Sequence, residues 1–323
     1  MATALRGEMG DGTSVYCITG GSGSLGTALV HTLLAQGHKV RAISRNEHRI
    51  AALEQSVPQD MRSRLSCFVG DVRDRYRLWR AFAGADYVIH AAALKHVGRC
   101  EYDPSEAIQT NIVGTQAVAD ACLDTGVKRA VFISSDKACS PHNLYGMTKA
   151  CGERLWLNCN RYSAGIGTGF VAVRYGNVWG SNGSVIRKWG EQSNGTLMLT
   201  EPECTRFHLR LGNAVDLVLS VLRGGERGSL YVPILPSYRL RDLAEAFAPD
   251  RAREVIGLQP GEKLHECMVN EHEAAHAVKE EGRIRIDPAL KGDGVQEYTS
   301  GRNTWRLNVE QLREEITWLK SSS

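Results

Sequence analysis

Short apolar runs rich in Val, Ile, Ala and Phe recur along the first half of the chain, separated by stretches whose apolar residues return every three or four positions. The runs at 15–19, 39–44, 65–69, 87–90, 129–134 and 170–174 have the length and residue types of strands. The stretches at 25–36, 73–83, 107–124 and 144–161 carry the helical period. These strands are apolar almost throughout instead of alternating, the pattern of a parallel sheet covered by helices on both faces. The expected fold class is therefore α/β with a doubly wound parallel sheet. Beyond about residue 177 the pieces become shorter and richer in Gly, Pro and charge, with helices expected at 213–223, 239–247 and 309–319. That half predicts a smaller mixed α/β lobe over the strand ends. No internal repeat or low-complexity linker separates the two.

Where the first strand meets the first helix the chain reads Thr19-Gly20-Gly21-Ser22-Gly23-Ser24-Leu25-Gly26. Glycines at 20, 23 and 26 permit a tight turn, close approach of backbone to a pyrophosphate, and tight helix packing, while the helix start offers unpaired N–H donors to the anion. A dinucleotide-binding Rossmann domain over 13–177 follows, preceded by a flexible tail over 1–12. Part of 205–235 is expected to return to that domain, and 178–323 to form the substrate-binding lobe. The second strand ends in Ser44-Arg45, without the carboxylate that would accept the ribose 2′-hydroxyl. Ser44 and Arg45 suit a 2′-phosphate and so NADP; the competing reading is a solvated loop arginine. Asp71, after the third strand, would meet the adenine amino group or cap the next helix.

The richest chemistry lies between Ser134 and Lys149. Ser135, Asp136 and Lys137 stand at the carboxyl end of a strand, and Tyr145 and Lys149 lie one helical turn apart on the helix that follows. A phenol with a pKa of about 10 is a poor base at neutral pH. An adjacent ammonium and a nicotinamide cation would lower it, so Tyr145 is expected as the base toward a sugar hydroxyl. A hydroxyl, a carboxylate, two amines and a phenol so close together can both oxidise an alcohol and eliminate water.

Charge and cysteines narrow the partners. The net charge is +3, with Lys and Arg scattered, which argues against nucleic acid and membrane surfaces while leaving room for a local anion pocket. Nine cysteines, an odd number without a Cys-x-x-Cys pair, read as free thiols in a reducing cytoplasm and not as a metal site. The opening residues lack the apolar core of a signal peptide, and no run is long enough to span a bilayer. A soluble cytoplasmic protein is expected.

With these residues in place the chain resembles the extended short-chain dehydrogenase/reductases, and within them the short soluble UDP-N-acetylglucosamine 4,6-dehydratases of inverting type. The matching stretches include Ala91-Ala-Ala-Leu-Lys-His-Val97, Ser135-Asp-Lys-Ala138, Asn143-Leu-Tyr-Gly146, Arg174-Tyr-Gly-Asn-Val178, Gly183-Ser-Val-Ile186, Thr205-Arg-Phe207 and Pro260-Gly-Glu-Lys-Leu-His-Glu266. Asp-Lys before the tyrosine is the discriminating detail, since hexose-nucleotide dehydratases of similar fold usually place Asp-Glu there and simple 4-epimerases lack the pair.

The resemblance implies a redox triad of Ser135, Tyr145 and Lys149, with Asp136 as acid and Lys137, held neutral, as base at C5. It implies tightly bound NADP, regenerated each turnover, contacted by Gly20, Ser22, Gly23, Ser24, Leu25, Gly26, Ser44, Arg45, Asp71, Val72, Ala91, Ala92, Ala93, Lys95, Tyr145 and Lys149. For the UDP-sugar it implies Lys95, His96, Asn177, Ser184, Val185, Thr200, Arg206 and Glu262. A homo-oligomer is also implied. The chain departs from the family pattern at Gly98, Asn182, Arg187 and Cys204, all expected near the substrate. A 4-epimerase or ketoreductase on the same fold, or a non-catalytic nucleotide-binding protein, stands as the alternative.

Overall fold

The computed structural model describes residues 12–181, 183–191 and 195–321. Six strands, β1 (Val15–Thr19), β2 (Lys39–Ser44), β3 (Leu65–Val69), β4 (Tyr87–His90), β5 (Arg129–Ile133) and β6 (Gly169–Val173), build the parallel sheet that the apolar runs predict. Their order from one edge is β3-β2-β1-β4-β5-β6, with pairs such as Ile18 beside Ala42 and Val131 beside Val171. Strand order reverses beside β1, so the crevice above the ends of β1 and β4 is where such a sheet binds ligands. The helices are α1 (Ser24–Ala35), α2 (Glu47–Ser56), α3 (Arg75–Phe82), α4 (Val97–Tyr102), α5 (Pro104–Ile108), α6 (Gly114–Thr125) and α7 (Leu144–Asn158). Central strand residues such as Ile18, Val88, Val131 and Phe170 are fully buried, as a sheet covered on both faces requires.

Three features depart from the sequence reading. Helix α2 was not anticipated, because only Ile50 and Leu53 of its ten residues turn inward and its polar remainder hides the period. Asn46 starts it by accepting the Arg49 N–H at 2.9 Å. The single helix expected at 107–124 is broken: α5 passes through a π-helical turn, Gln109–Val113, into α6. In that turn buried Asn111 accepts from Leu94 N–H at 2.8 Å and donates to Leu94 O at 2.9 Å and Thr148 Oγ1 at 3.0 Å, tying the β4 loop to α7.

The third departure lies in the lobe expected over 178–323, at residues 277–286, outside the 205–235 stretch already expected to return to the first domain. Leu230–Pro233 pairs in parallel with β6, and the hairpin of Ala277–Glu280 and Arg283–Ile286 continues the sheet antiparallel, to nine strands. Arg283–Ile286 alternates polar and apolar and Ala277–Glu280 is half polar, so the pattern of a buried parallel strand is absent there. The helix Leu211–Gly224 also packs into the main core, while a second core forms from Trp179, Trp189, Leu199, Leu243, Leu312 and Ile316. Two small strand pairs aim side chains at the main sheet's carboxyl ends. Thr205–Phe207 lies antiparallel to Ser237–Arg239, and Cys267–Val269 to Tyr298–Thr299. Of the tail expected over 1–12, only Gly12 falls within the described residues.

Candidate active site

Two adjoining cavities open at the carboxyl ends of the strands. The first, of about 450 Å³, runs along the β1–α1 turn. Gly20 takes φ +73°, and a β-carbon there would meet the backbone N of Ala92 at 2.8 Å, so only glycine lets the two strand ends approach this closely. Gly23 caps α1 with no side-chain bond to the helix, leaving the first-turn N–H groups to face the cavity as an anion seat. A β-carbon on Gly26 would overlap the Gly20 carbonyl. These features fit a dinucleotide pyrophosphate.

Every residue assigned to the cofactor borders this cavity except Asp71. The Asp71 carboxylate is turned to Arg73, accepting from Nε at 2.9 Å, Nη2 at 2.6 Å and the backbone N–H at 2.9 Å. It does not cap the next helix either, since Asp74 does so by accepting the Arg77 N–H. At the far end Ser22 Oγ donates to Ser44 Oγ at 2.7 Å. Arg45 is exposed, and its Nη1 lies 3.0 Å from Glu106 Oε1 and 3.8 Å from Asp71 Oδ2. Arg49 and Asn46 join the lining, missed in the sequence because α2 was missed.

The reacting groups gather where β5 ends. Ser135 caps a single 3₁₀ turn, Asp136–Ala138; its Oγ donates to Asp136 Oδ1 at 2.9 Å and accepts the Lys137 N–H at 3.3 Å. Asp136 is 1 % exposed, and burial raises its carboxyl above the usual range against the pull of Lys137, with nearby Glu266 adding to the rise. Lys137 Nζ stands 3.1 Å from Asp136 Oδ1 and 3.4 Å from Glu266 Oε1. The neutral lysine expected from the sequence is therefore not what the resting protein holds. Burial pulls the Lys137 pKa down, but the two carboxylates outweigh it and keep the amine charged.

Tyr145 also differs from expectation, since burial pushes its phenol up to about 12, moderated by Lys137 and a hydrogen bond with Ser135. The cation acting on the phenol is thus Lys137. Lys149, 3 % exposed, is lowered by burial to about 7, with Glu153 pulling the other way, and its Nζ lies 3.8 Å from the centre of the Phe132 ring. Both Tyr145 and Lys149 face the first cavity.

The second cavity, of about 900 Å³, shares Lys95, Lys137, Asn177 and Ser181 with the first. All eight residues assigned to the sugar nucleotide border it. Arg206, opposite Tyr238 in its strand pair, is clamped by Glu262 at 2.6 Å and lies 3.7 Å from Glu266. Thr200 Oγ1 donates to the same Glu262 oxygen at 3.1 Å. The Ser184 hydroxyl is buried without a protein partner. Of the four departures, Gly98 and Cys204 line this cavity. Arg187 does not, because its Nε is spent on the Gly180 carbonyl at 2.5 Å, and Asn182 lies outside the described residues. Sequence reasoning assigned no role to Glu266, although the Gly-Glu-Lys-Leu-His-Glu266 stretch carried it.

A doubly wound sheet with Ser135, Tyr145 and Lys149 over a dinucleotide cleft defines a short-chain dehydrogenase/reductase of the extended kind. Within that class the chain belongs to the polysaccharide biosynthesis protein family, whose model matches residues 16–288. It is 39% identical over 279 residues to a UDP-N-acetylglucosamine 4,6-dehydratase (inverting) of Campylobacter jejuni, covering 85% of this chain and 83% of that protein. It is also 36% identical over 322 residues to a UDP-glucose 4-epimerase of Rickettsia massiliae, covering 92% and 93%. The X-ray structure of Pen from Bacillus thuringiensis superposes with a TM-score of 0.91 at 33% identity, over 96% of this chain and 98% of that one.

Proposed function

We propose that the protein is a UDP-N-acetylglucosamine 4,6-dehydratase, inverting at C5, that forms a UDP-4-keto-6-deoxyhexosamine. The observation that carries this reading is the cluster of half-buried Lys137 with the buried carboxylates Asp136 and Glu266 at the junction of the two cavities. An epimerase or ketoreductase needs the redox triad alone; an acid and a base set beside it serve an elimination. Relatives of both kinds exist, so the reading leans on this cluster.

A nicotinamide dinucleotide in the first cavity supplies the acceptor for hydride from C4 and its return to C6. Tyr145 takes the 4-hydroxyl proton, with Ser135 hydrogen-bonding the same oxygen. The resulting ketone acidifies C5–H. Lys137 removes that proton while Asp136 protonates the departing 6-hydroxyl, each contribution being worth about 10²–10⁴ in rate. Arg206, positioned by Glu262, holds the diphosphate end with Thr200 and Asn177, and Lys95, His96, Ser184 and Val185 run along the sugar.

The finer reading is NADP, favoured by Ser44 and Arg45 at the cavity's end where an acidic residue would select NAD. No helix among the described residues is long and apolar enough to cross a membrane, and all nine cysteines are free. Free thiols suit a reducing compartment, and the family resemblance alone is the ground on which a cytoplasmic homo-oligomer is proposed. Mass spectrometry of UDP-N-acetylglucosamine incubated with the protein tests the reaction. Loss of one water is expected. A product of unchanged mass would instead establish the epimerase reading.

A further inference from the structure

Asp136 and Glu266 flank one amine, Lys137, yet their surroundings differ. Asp136 lies against Ser135 and Lys137, and a β-carbon on Gly176 would touch its second oxygen at 2.9 Å. That second oxygen, Oδ2, is buried without a partner, as is Glu266 Oε2, so the difference between the two carboxylates lies in the charges around them. Glu266, 3 % exposed, faces three cations: Lys137 at 3.4 Å, Arg206 at 3.7 Å, and Lys263, whose amine donates to the Cys139 carbonyl at 2.6 Å. Its backbone is pinned on both sides, accepting from Ser300 N–H at 2.8 Å and donating to Ser300 Oγ at 2.9 Å. Two carboxylates around one amine cannot be equivalent here: the one ringed by cations stays ionised and the other takes the proton.

We propose that Glu266 is a positioning residue of the elimination, the fixed counter-ion that keeps Lys137 a strong base and lets Asp136 carry a proton beside it. The inference rests on the dehydratase reading. The active pairing, neutral Lys137 with protonated Asp136, is the proton-transfer isomer of the ion pair seen at 3.1 Å. One proton moves from Nζ to Oδ1, with nothing taken from solvent. Elimination then transfers the C5 proton to Lys137 and the Asp136 proton to the leaving hydroxyl, which departs as water. The pair returns as Lys137 ammonium and Asp136 carboxylate, the state from which it began. Throughout, Glu266 keeps one negative charge against Lys137, Arg206 and Lys263. Its negative charge raises the pKa of both Asp136 and Lys137.

The test is the pH–rate profile of water loss by the holoenzyme with Glu266→Gln. Removing the charge lowers both pKa values, so both limbs of the bell move to lower pH. Glu266→Asp, which keeps the charge at shorter reach, shifts them less and in the same direction, and serves if the amide variant does not fold. A rate loss with both limbs in place, or a shift to higher pH, would overturn the proposal. An independent readout uses no turnover: infrared difference spectra against Asp136→Asn should show the Asp136 carboxyl ionising at lower pH in Glu266→Gln than in the unmodified protein. An Asp136 carboxyl that ionises at the same pH in both would overturn the proposal by itself. Failure of the unmodified protein to lose water would remove the dehydratase reading while leaving the infrared comparison standing.

Discussion

Single residues show most plainly what a sequence carries. The identities of Ser135, Asp136, Lys137, Tyr145 and Lys149 and their convergence on one cleft were legible, because a strand end and one helical turn fix their spacing. Their charge states were not. Whether Lys137 is neutral depends on Glu266, 129 positions away, and the resting Tyr145 pKa of about 12 is set by burial, which no local pattern states. Arg45 illustrates the same limit, since its partner Glu106 comes from another helix. A 2′-phosphate must share the guanidinium with that carboxylate, so its worth sits at the low end for a charge-assisted bond. Arg45→Ala is expected to weaken NADP about tenfold relative to NAD, read by calorimetry on both cofactors. Equal or tighter binding of NAD by the unmodified protein would refute the NADP preference.

At the scale of elements, the catalytic geometry is set by how α7 docks on the 3₁₀ turn at Asp136–Ala138. Gly146 is the contact point. Its N–H donates to the capping Asn143 Oδ1 at 2.8 Å, and a β-carbon there would overlap the Lys137 carbonyl and come within 3.1 Å of Pro141 Cβ. Alanine ordinarily stabilises a helix by about 1 kcal/mol over glycine. Here overpacking, at about 1–3 kcal/mol, opposes that gain and pushes Tyr145 away from Ser135. Gly146→Ala should leave the melting temperature lower by a few degrees at most and reduce kcat about 10²-fold, the scale of an ångström's misplacement. Unchanged kcat in a folded variant would show that the docking has slack. Sequence periodicity located α7 but not this constraint, and it missed α2 and the π turn before α6 for related reasons. One is a helix with few inward residues, and the other is a kink imposed by Asn111 bridging to Leu94 and Thr148.

Across the whole molecule, Arg174 ties the main sheet and α7 to the 268–273 segment from the second half of the chain. It leaves the end of β6 and is 1 % exposed. Its guanidinium donates to Glu153 on α7 at 3.0 and 2.6 Å, to Glu273 in the second half of the chain at 2.8 and 2.7 Å, and to the Met268 carbonyl at 2.8 Å. Removing one member of such a buried network strands the others and costs about 3–5 kcal/mol. Burial alone would raise the Glu273 pKa, but Arg174 and the Asn270 N–H reverse this and hold it below the usual carboxylate value of 4.5. A depressed folded pKa means the unfolded chain binds the proton more readily, so the stabilisation is present above the unfolded value and is lost as pH falls through the folded one. Glu273→Gln should therefore melt well below the unmodified protein at pH 7. The gap should narrow as pH drops below about 4.5, where the unmodified protein begins to lose what the variant never had. Calorimetric melts of both proteins across that range decide the matter: a gap independent of pH would mean that Glu273 contributes packing and not charge. Because Glu273 lies just beyond Glu266 and Met268 in the same segment, loosening it should also release the strand that carries Glu266 toward Lys137. Turnover should then fall at temperatures where the fold is still intact.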